Sequence, residues 1–399
     1  MSQGVTAVVI GGGVIGLSTA YQLAKKRVGR VILLEKERVG AGASSRAGGI
    51  ITGLLWTETG ILARKISLSL FQELSAELAD YGYRFQDVGC LNLFDPADWP
   101  EREALLPLYE KFQVPHELID AAEIEKRWPE LKPRADIKGL FDPLGGYSEP
   151  EQYLPALAQR CRDLGVEIRE GALVTGIERK NSRVQAVTTS NETIPADVVV
   201  CTVHVWTLRL LAELDWAVPV KSFVHQRYTT TLLPTPVHIP AINANPYEGY
   251  IRPAAGNRIL VGGETPERIE FAVPSLNYRM EGLAAPPQMK ETLFDSFRPF
   301  LPRIGETTWE SEKVGLLSFS LDDEPIVGEA PHIKGLFLGT AFHSGGFAYN
   351  PVAGLLLAEL AAGERPSVDI TTFSPARFSP EATARYLAQA KSKPALRRH

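Results

Sequence analysis

The stretch that decides the fold is Thr6-Ala7-Val8-Val9-Ile10-Gly11-Gly12-Gly13-Val14-Ile15-Gly16, followed by residues 17–26 and by Arg30-Val31-Ile32-Leu33-Leu34-Glu35. The first apolar run is short and β-branched, which suits a buried parallel strand. Residues 17–26 place Leu17, Ala20, Tyr21, Leu23 and Ala24 on one side of a helix. The second apolar run ends at Glu35, nineteen residues beyond Gly16. Strand, helix and strand make a βαβ unit. In its turn Gly11 permits the tight bend, Gly13 lets the backbone approach a pyrophosphate, and Gly16 lets helix and strand pack closely. The unpaired N–H groups at the helix start attract phosphate, and Glu35 is placed to accept hydrogen bonds from a ribose. The unit predicts a bound dinucleotide.

Working outward, 399 residues are enough for two domains, and 44% hydrophobic with 22% charged residues describes an ordinary globular chain. The net charge is −5 and no Lys/Arg cluster precedes the tail, so nothing calls for nucleic acid or an anionic membrane. No apolar run approaches a membrane span, and the first strand follows no basic region, so it does not read as a signal peptide. A cytoplasmic location is the expectation. Cys90, Cys161 and Cys201 form no CxxC pair and the seven histidines no HxxxH or HExxH, so neither a disulfide framework nor a metal is expected.

Directly after Glu35 comes a loop, residues 36–53, that mixes glycines with Ser44, Ser45, Arg46 and Ala47. Its place beside the ribose acid predicts contact with the rest of the dinucleotide. Residues 62–81 read as a long amphipathic helix, and 90–94 as a strand. Helices are expected around 101–112 and over 121–128. A turn at 145–150 leads into a helix over 150–164, and strands at 166–168, 172–179, 184–189 and 196–201 return the chain to the nucleotide-binding sheet. Val174 lies on a strand that is expected to offer its backbone to the adenine. Residues 218–317 are again strand-rich, with a hairpin formed by 250–253 and 258–263. Near the end, Phe342-His343-Ser344-Gly345-Gly346-Phe347 precedes a helix over 351–360, which aims a second helix N-terminus at a ligand.

Taken together, Val9 to Gly16 with Glu35, Ser44 to Gly49, Asp322 to Gly328 and Gly339 to Gly354 make the whole chain resemble the FAD-dependent oxidoreductases of the D-amino acid oxidase type, which include glycine oxidase, sarcosine oxidase and amine dehydrogenases. The resemblance implies an α/β fold: a Rossmann-like FAD-binding domain of the glutathione-reductase βαβ type, with an inserted α+β substrate domain on a mostly antiparallel sheet. Residues 1–86, 145–218 and 318–380 are assigned to the first, 87–144 and 219–317 to the second, and 381–399 to a C-terminal helix and tail. FAD contacts are expected from Gly11, Gly13, Val14, Ile15, Gly16, Glu35, Lys36, Ser44, Ser45, Arg46, Ala47, Gly48, Gly49, Val174, Gly345, Gly346 and Phe347. The last loop and helix would sit at the isoalloxazine, where the helix dipole stabilises the negative charge gained on reduction.

Several positions depart from the family pattern. Where some members attach flavin through a cysteine or histidine, this chain has Gly315-Leu316-Leu317 and Ser44 to Gly49, so the FAD is expected to be non-covalent. The cations that pair a substrate carboxylate in glycine and sarcosine oxidases fall here at Leu317 and Ala348, and His204 stands where the family has glycine. A carboxylate would need another partner in a partly dry site. Tyr250 matches the family's substrate tyrosine, and Arg252, two residues on, shares its strand face. His343 is a further candidate for the catalytic site. The resemblance implies that the chain oxidises the C–N bond of a small amine or amino acid by hydride transfer to the flavin, passing electrons to oxygen or another acceptor, and the sequence accords with this in having no pair of catalytic carboxylates and no Ser/His/Asp constellation. Two alternatives remain open: oxidation of a hydroxy acid or polyol phosphate, or service as a flavin-bearing subunit of a larger dehydrogenase complex. A homo-oligomer is compatible with either.

Overall fold

The computed structural model describes residues 4–265 and 268–389, so the tail expected beyond residue 389 lies outside the described residues. The opening unit consists of β1 (Val5–Ile10), α1 (Val14–Lys25) and β2 (Gly29–Leu34). β1 lies at the centre of a six-stranded sheet, paired in parallel with β2 on one side and with Val198–Cys201 on the other. Leu336–Thr340 and Glu167–Arg169 extend the sheet in parallel, and Ile326–Glu329 closes one edge antiparallel.

Strand alternation sorts the core into two layers. Ala7, Val9, Val31 and Leu33 pack with α1, Pro150–Asp163 and Gly346–Ala361, whereas Val8, Ile10, Ile32 and Leu34 face the opposite layer. That second layer contains a feature not expected from the sequence. Val174–Lys180, Arg183–Thr189 and Thr193–Pro195 form their own antiparallel three-stranded sheet, and only Glu167–Arg169 and Val198–Cys201 rejoin the parallel one. The side chains of Val174, Ile177 and Val187 cover the face of the parallel sheet, which rewards stacking instead of edge pairing.

α1 also differs from the one-sided helix expected, since every residue from Val14 to Leu23 is buried. Helices press on it from two sides, and at the crossing with Gly346–Ala361 a Cβ on Gly354 would lie 2.4 Å from the backbone of Ser18. The helix expected over 351–360 in fact begins at Gly346 and contains Pro351. Proline removes the N–H that would bond the Phe347 carbonyl, and the Asn350 side-chain amide donates to that carbonyl instead. Asn350 Oδ1 accepts from Ser18 at 2.6 Å and from Tyr153 at 2.7 Å, tying three helices together. The helix expected over 62–81 runs from Glu58 to Glu77, because the Thr57 hydroxyl accepts the Gly60 N–H and sets its start. Around 101–112 there are two short helices, Trp99–Glu103 and Leu106–Lys111.

The second large sheet has nine strands in the order Phe342–His343, Trp309–Ser320, Val220–Thr230, Arg258–Glu264, Gly249–Ala254, Ala241–Ala244, Cys90–Phe94, Lys138–Asp142 and Glu117–Asp120. All its pairings are antiparallel except Ala241–Ala244 with Cys90–Phe94, where its two chain segments meet. The expected break between residues 317 and 318 falls inside a strand, since Trp309–Ser320 stays paired with Val220–Thr230 to its last residue. Among the described residues no helix is long and apolar enough to cross a membrane, and no group of three or more His, Cys, Asp or Glu could hold a metal ion.

Candidate active site

One cavity begins at the C-terminal ends of β1 and β2 and continues to the start of the helix Gly346–Ala361. Its first part is lined by Gly11, Gly13, Val14 and Ile15 from the glycine turn, by Glu35 and Lys36, and by Val174 on the flanking sheet. Ser44, Arg46, Ala47, Gly48 and Gly49 form the middle, and Gly345, Gly346 and Phe347 the far end. Two expected contacts lie outside the lining. Gly16 is inside the turn, where a Cβ would come 1.8 Å from the Gly11 carbonyl oxygen. The carbonyl of Ser45 is turned toward Arg227 and Lys313 and accepts from both.

The first part has the chemistry of a nucleotide cradle. Gly11 has φ +107°, a conformation open to glycine, and a Cβ there would meet Thr202 O at 2.8 Å. Glu35 accepts the N–H of Gly12 through Oε2 at 2.7 Å and that of Glu37 through Oε1 at 2.9 Å. Burial raises the pKa of its carboxyl, and those two N–H groups oppose the rise. The Ser44 hydroxyl accepts the N–H of Val14 at 3.0 Å, covering one donor of the α1 N-terminus. Lys36 points away from this cradle. Its ammonium donates to the carbonyls of Leu276 and Tyr278 and lies 3.9 Å from the centroid of the Trp206 ring. A strap from the antiparallel-sheet segment is thereby tied to the end of β2, and Leu276 itself lines the cavity. Arg46 folds back on its own loop, donating to the carbonyls of Ala41 and Gly42, and burial lowers its pKa.

At the far end Tyr250 lines the cavity. Its ring lies flat between Gly48 and Gly262, where added Cβ atoms would come 2.4 and 2.1 Å from it. The hydroxyl is 3.0 Å from His225 Nε2, and the two rings stack at 5.8 Å and 17°. His225 lies on Val220–Thr230, two strands away in the sheet. Nothing in the sequence distinguished it from an ordinary ladder residue.

Arg252 requires a correction: it does not line the cavity. The guanidinium is fully buried, grips both oxygens of Glu149 at 3.0 and 2.9 Å, and donates to the carbonyls of Gly48 and Pro253. Face alternation placed it correctly beside Tyr250, but the turn at 145–150 brings a carboxylate to that spot. His343 lines the cavity, with Nδ1 accepting the N–H of Gly345 at 3.2 Å, so it shapes the turn that opens the helix Gly346–Ala361.

The cation that does reach the far end is one the sequence reading passed over. Arg64 lines the cavity beside Gly345 and is 4% exposed. Burial lowers the pKa of its guanidinium. It occupies the buried stripe of Glu58–Glu77 with Ile61, Leu68, Phe71 and Leu74, and an arginine on such a stripe is the signal that could have found it.

A cleft with a glycine turn and ribose acid at one end and a helix N-terminus at the other fits an extended dinucleotide. The family model described as DAO, FAD-dependent oxidoreductase, matches residues 6–360. The chain belongs to this family. FAD is accordingly its cofactor, and the cradle at Gly11 to Ile15 with Glu35 is of the kind a flavin dinucleotide requires. Over 99% of its length the chain is 28% identical to the 4-methylaminobutanoate oxidase (formaldehyde-forming) of Paenarthrobacter nicotinovorans, but spans only 48% of that protein, about half its length. Glycine oxidase of Geobacillus kaustophilus is 27% identical over 92% of this chain and 95% of its own. Among solved structures, L-proline dehydrogenase from P. horikoshii superposes with a TM-score of 0.85 at 23% identity, covering 95% of this chain and 98% of that one, which demonstrates the shared fold.

Proposed function

We propose that the protein oxidises a C–N bond in a small amine or amino acid to an imine, which water then hydrolyses. The observation that carries this reading is the Tyr250–His225 pair at the far end of the cavity. When bound, FAD supplies the two-electron acceptor; the protein must bind the amine, strip its proton and hold its Cα–H in place. An ammonium near Tyr250 can give a proton to the phenol oxygen while the phenol proton passes to His225 Nε2, leaving a neutral amine and an imidazolium. Burial of both residues keeps water from competing for that proton. Gly48 and Gly262 hold the Tyr250 ring from either side, so its hydroxyl is preorganised.

The same reading extends to the cofactor's attachment, its neighbours and the compartment. No cysteine is among the described lining residues, and both ring nitrogens of His204 are engaged, with Leu316 O and the Ser318 hydroxyl, which supports non-covalent FAD. Tyr250 acts as a substrate contact and the turn residues with Glu35 as cofactor contacts, with the antiparallel sheet forming the substrate-side wall. Three buried free thiols accord with a reducing, cytoplasmic setting.

The test is anaerobic bleaching of the flavin absorbance by matched amines and hydroxy acids. Amines reduce the flavin and hydroxy acids leave it oxidised; the opposite pattern refutes C–N oxidation. Tyr250→Phe should slow reduction by an amine on the order of a hundredfold or more and change its pH profile.

A further inference from the structure

Three of the four buried arginines among the described residues, Arg64, Arg227 and Arg252, differ in what neutralises them. Arg252 holds Glu149 in a two-pronged pair, and Arg227 donates to Glu151 at 2.8 Å. Arg64 is in neither situation. Its Nη1 reaches Thr52 O at 3.3 Å and its Nη2 reaches Gly345 O at 3.4 Å, both long contacts to neutral carbonyls. Among the described residues its Nε has no hydrogen-bond partner. One face of the guanidinium lies 4.2 Å from the Tyr349 ring centroid, and the Tyr349 side chain is also a neutral hydrogen-bond partner to it. Asp142 is the carboxylate whose field acts on it, but that group already accepts from the Thr52 hydroxyl and from the N–H groups of Gly53, Leu144 and Gly145.

A buried cation with no carboxylate of its own is costly unless a ligand supplies the charge. We propose that Arg64 receives a carboxylate carried by the substrate, making it the specificity-determining residue that favours amino acids over simple amines at the Tyr250 site. The inference rests on the reading of this cavity as an amine-oxidising site. A guanidinium anchored by two carbonyls and stacked on Tyr349 keeps a planar fork of donors, which matches a planar carboxylate. The glycine turn, which would receive the cofactor's pyrophosphate, lines the cavity at the ends of β1 and β2, whereas Arg64 lines it beside Gly345. Leu55 and Asn243 line the cavity with Arg64 and Tyr250, so the room for a substrate body has one apolar and one amide wall. The charge arrives from the helix Glu58–Glu77 rather than from the antiparallel sheet.

The experiment titrates oxidised holoenzyme with butyrate and with butyramide, reading the flavin difference spectrum. Neither compound can be oxidised as an amine, so the result is independent of whether amines bleach the flavin. Butyrate should perturb the spectrum saturably and bind roughly ten- to a hundredfold more tightly than butyramide. Arg64→Met should abolish that preference at normal flavin content, and Arg64→Lys should keep part of it. Equal affinity for acid and amide in the wild type overturns the proposal. So does an undiminished preference for butyrate in Arg64→Met. Should the methionine variant fail to hold FAD, the wild-type comparison and Arg64→Lys decide, and loss of flavin from the lysine variant with no acid preference in the wild type places Arg64 with the cofactor.

Discussion

Arg252→Met is expected to destabilise the protein while leaving substrate affinity alone. The substitution removes both prongs to Glu149 and the bonds to the Gly48 and Pro253 carbonyls, and leaves Glu149 with the Ala255 N–H as its remaining partner in this network. Arg252 is fully buried and the Glu149 side chain only 12% exposed, so solvent cannot take over the abandoned charge. Breaking a buried pair from one side costs about 3–5 kcal/mol. Replacing both partners, Arg252→Met with Glu149→Leu, should restore much of that loss, because no unpaired charge then stays inside. Equilibrium urea unfolding of the holoenzyme, followed by tryptophan and flavin fluorescence, measures both effects. The KM for an acidic amine and for one lacking a carboxylate should change alike, within about twofold. Unchanged stability together with a KM raised ten- to a hundredfold for the acidic substrate alone would refute this assignment and return Arg252 to the substrate site.

Two further outcomes test the cofactor end. In Gly13→Val the new Cβ would lie 2.9 Å from the Ser44 hydroxyl, which holds the first N–H of α1, so the branched side chain displaces Ser44 and intrudes on the phosphate cradle. The purified variant should be folded and nearly colourless, and a normal flavin-to-protein ratio would make the turn purely structural. Lys36→Met should raise the FAD dissociation constant about tenfold, because the strap carrying Leu276 and Tyr278 loses its tie to β2. Apoprotein titrated with FAD reads this directly, and an unchanged constant would mean that the strap closes without Lys36.

The sequence alone was enough to show the opening βαβ unit and its glycine turn. A turn with φ +107° at Gly11 and contacts of 1.8 Å at Gly16 can be built only from glycine, so the turn's chemistry is written in residue types at fixed spacing. The same holds for the alternation that divides β1 between two core layers, since period and polarity are local properties. Tyr250 was legible through family resemblance, and its face could be read from strand parity.

What residue spacing could not supply was the partner each charged side chain finds. Arg252 and Arg64 are both buried arginines, yet one meets Glu149 from a turn more than a hundred residues away in sequence and the other meets two carbonyls, the Tyr349 side chain and the field of a carboxylate that is already occupied. His225 and Tyr250 come from strands with another strand between them, which brings their side chains together across the sheet. Likewise the helix expected from residue 351 starts at Gly346 because Asn350 satisfies the carbonyl that Pro351 leaves unpaired. Secondary structure follows from steric and hydrogen-bonding preferences within a few residues, whereas neutralisation of a buried charge depends on groups that only the packed fold brings within a few ångströms.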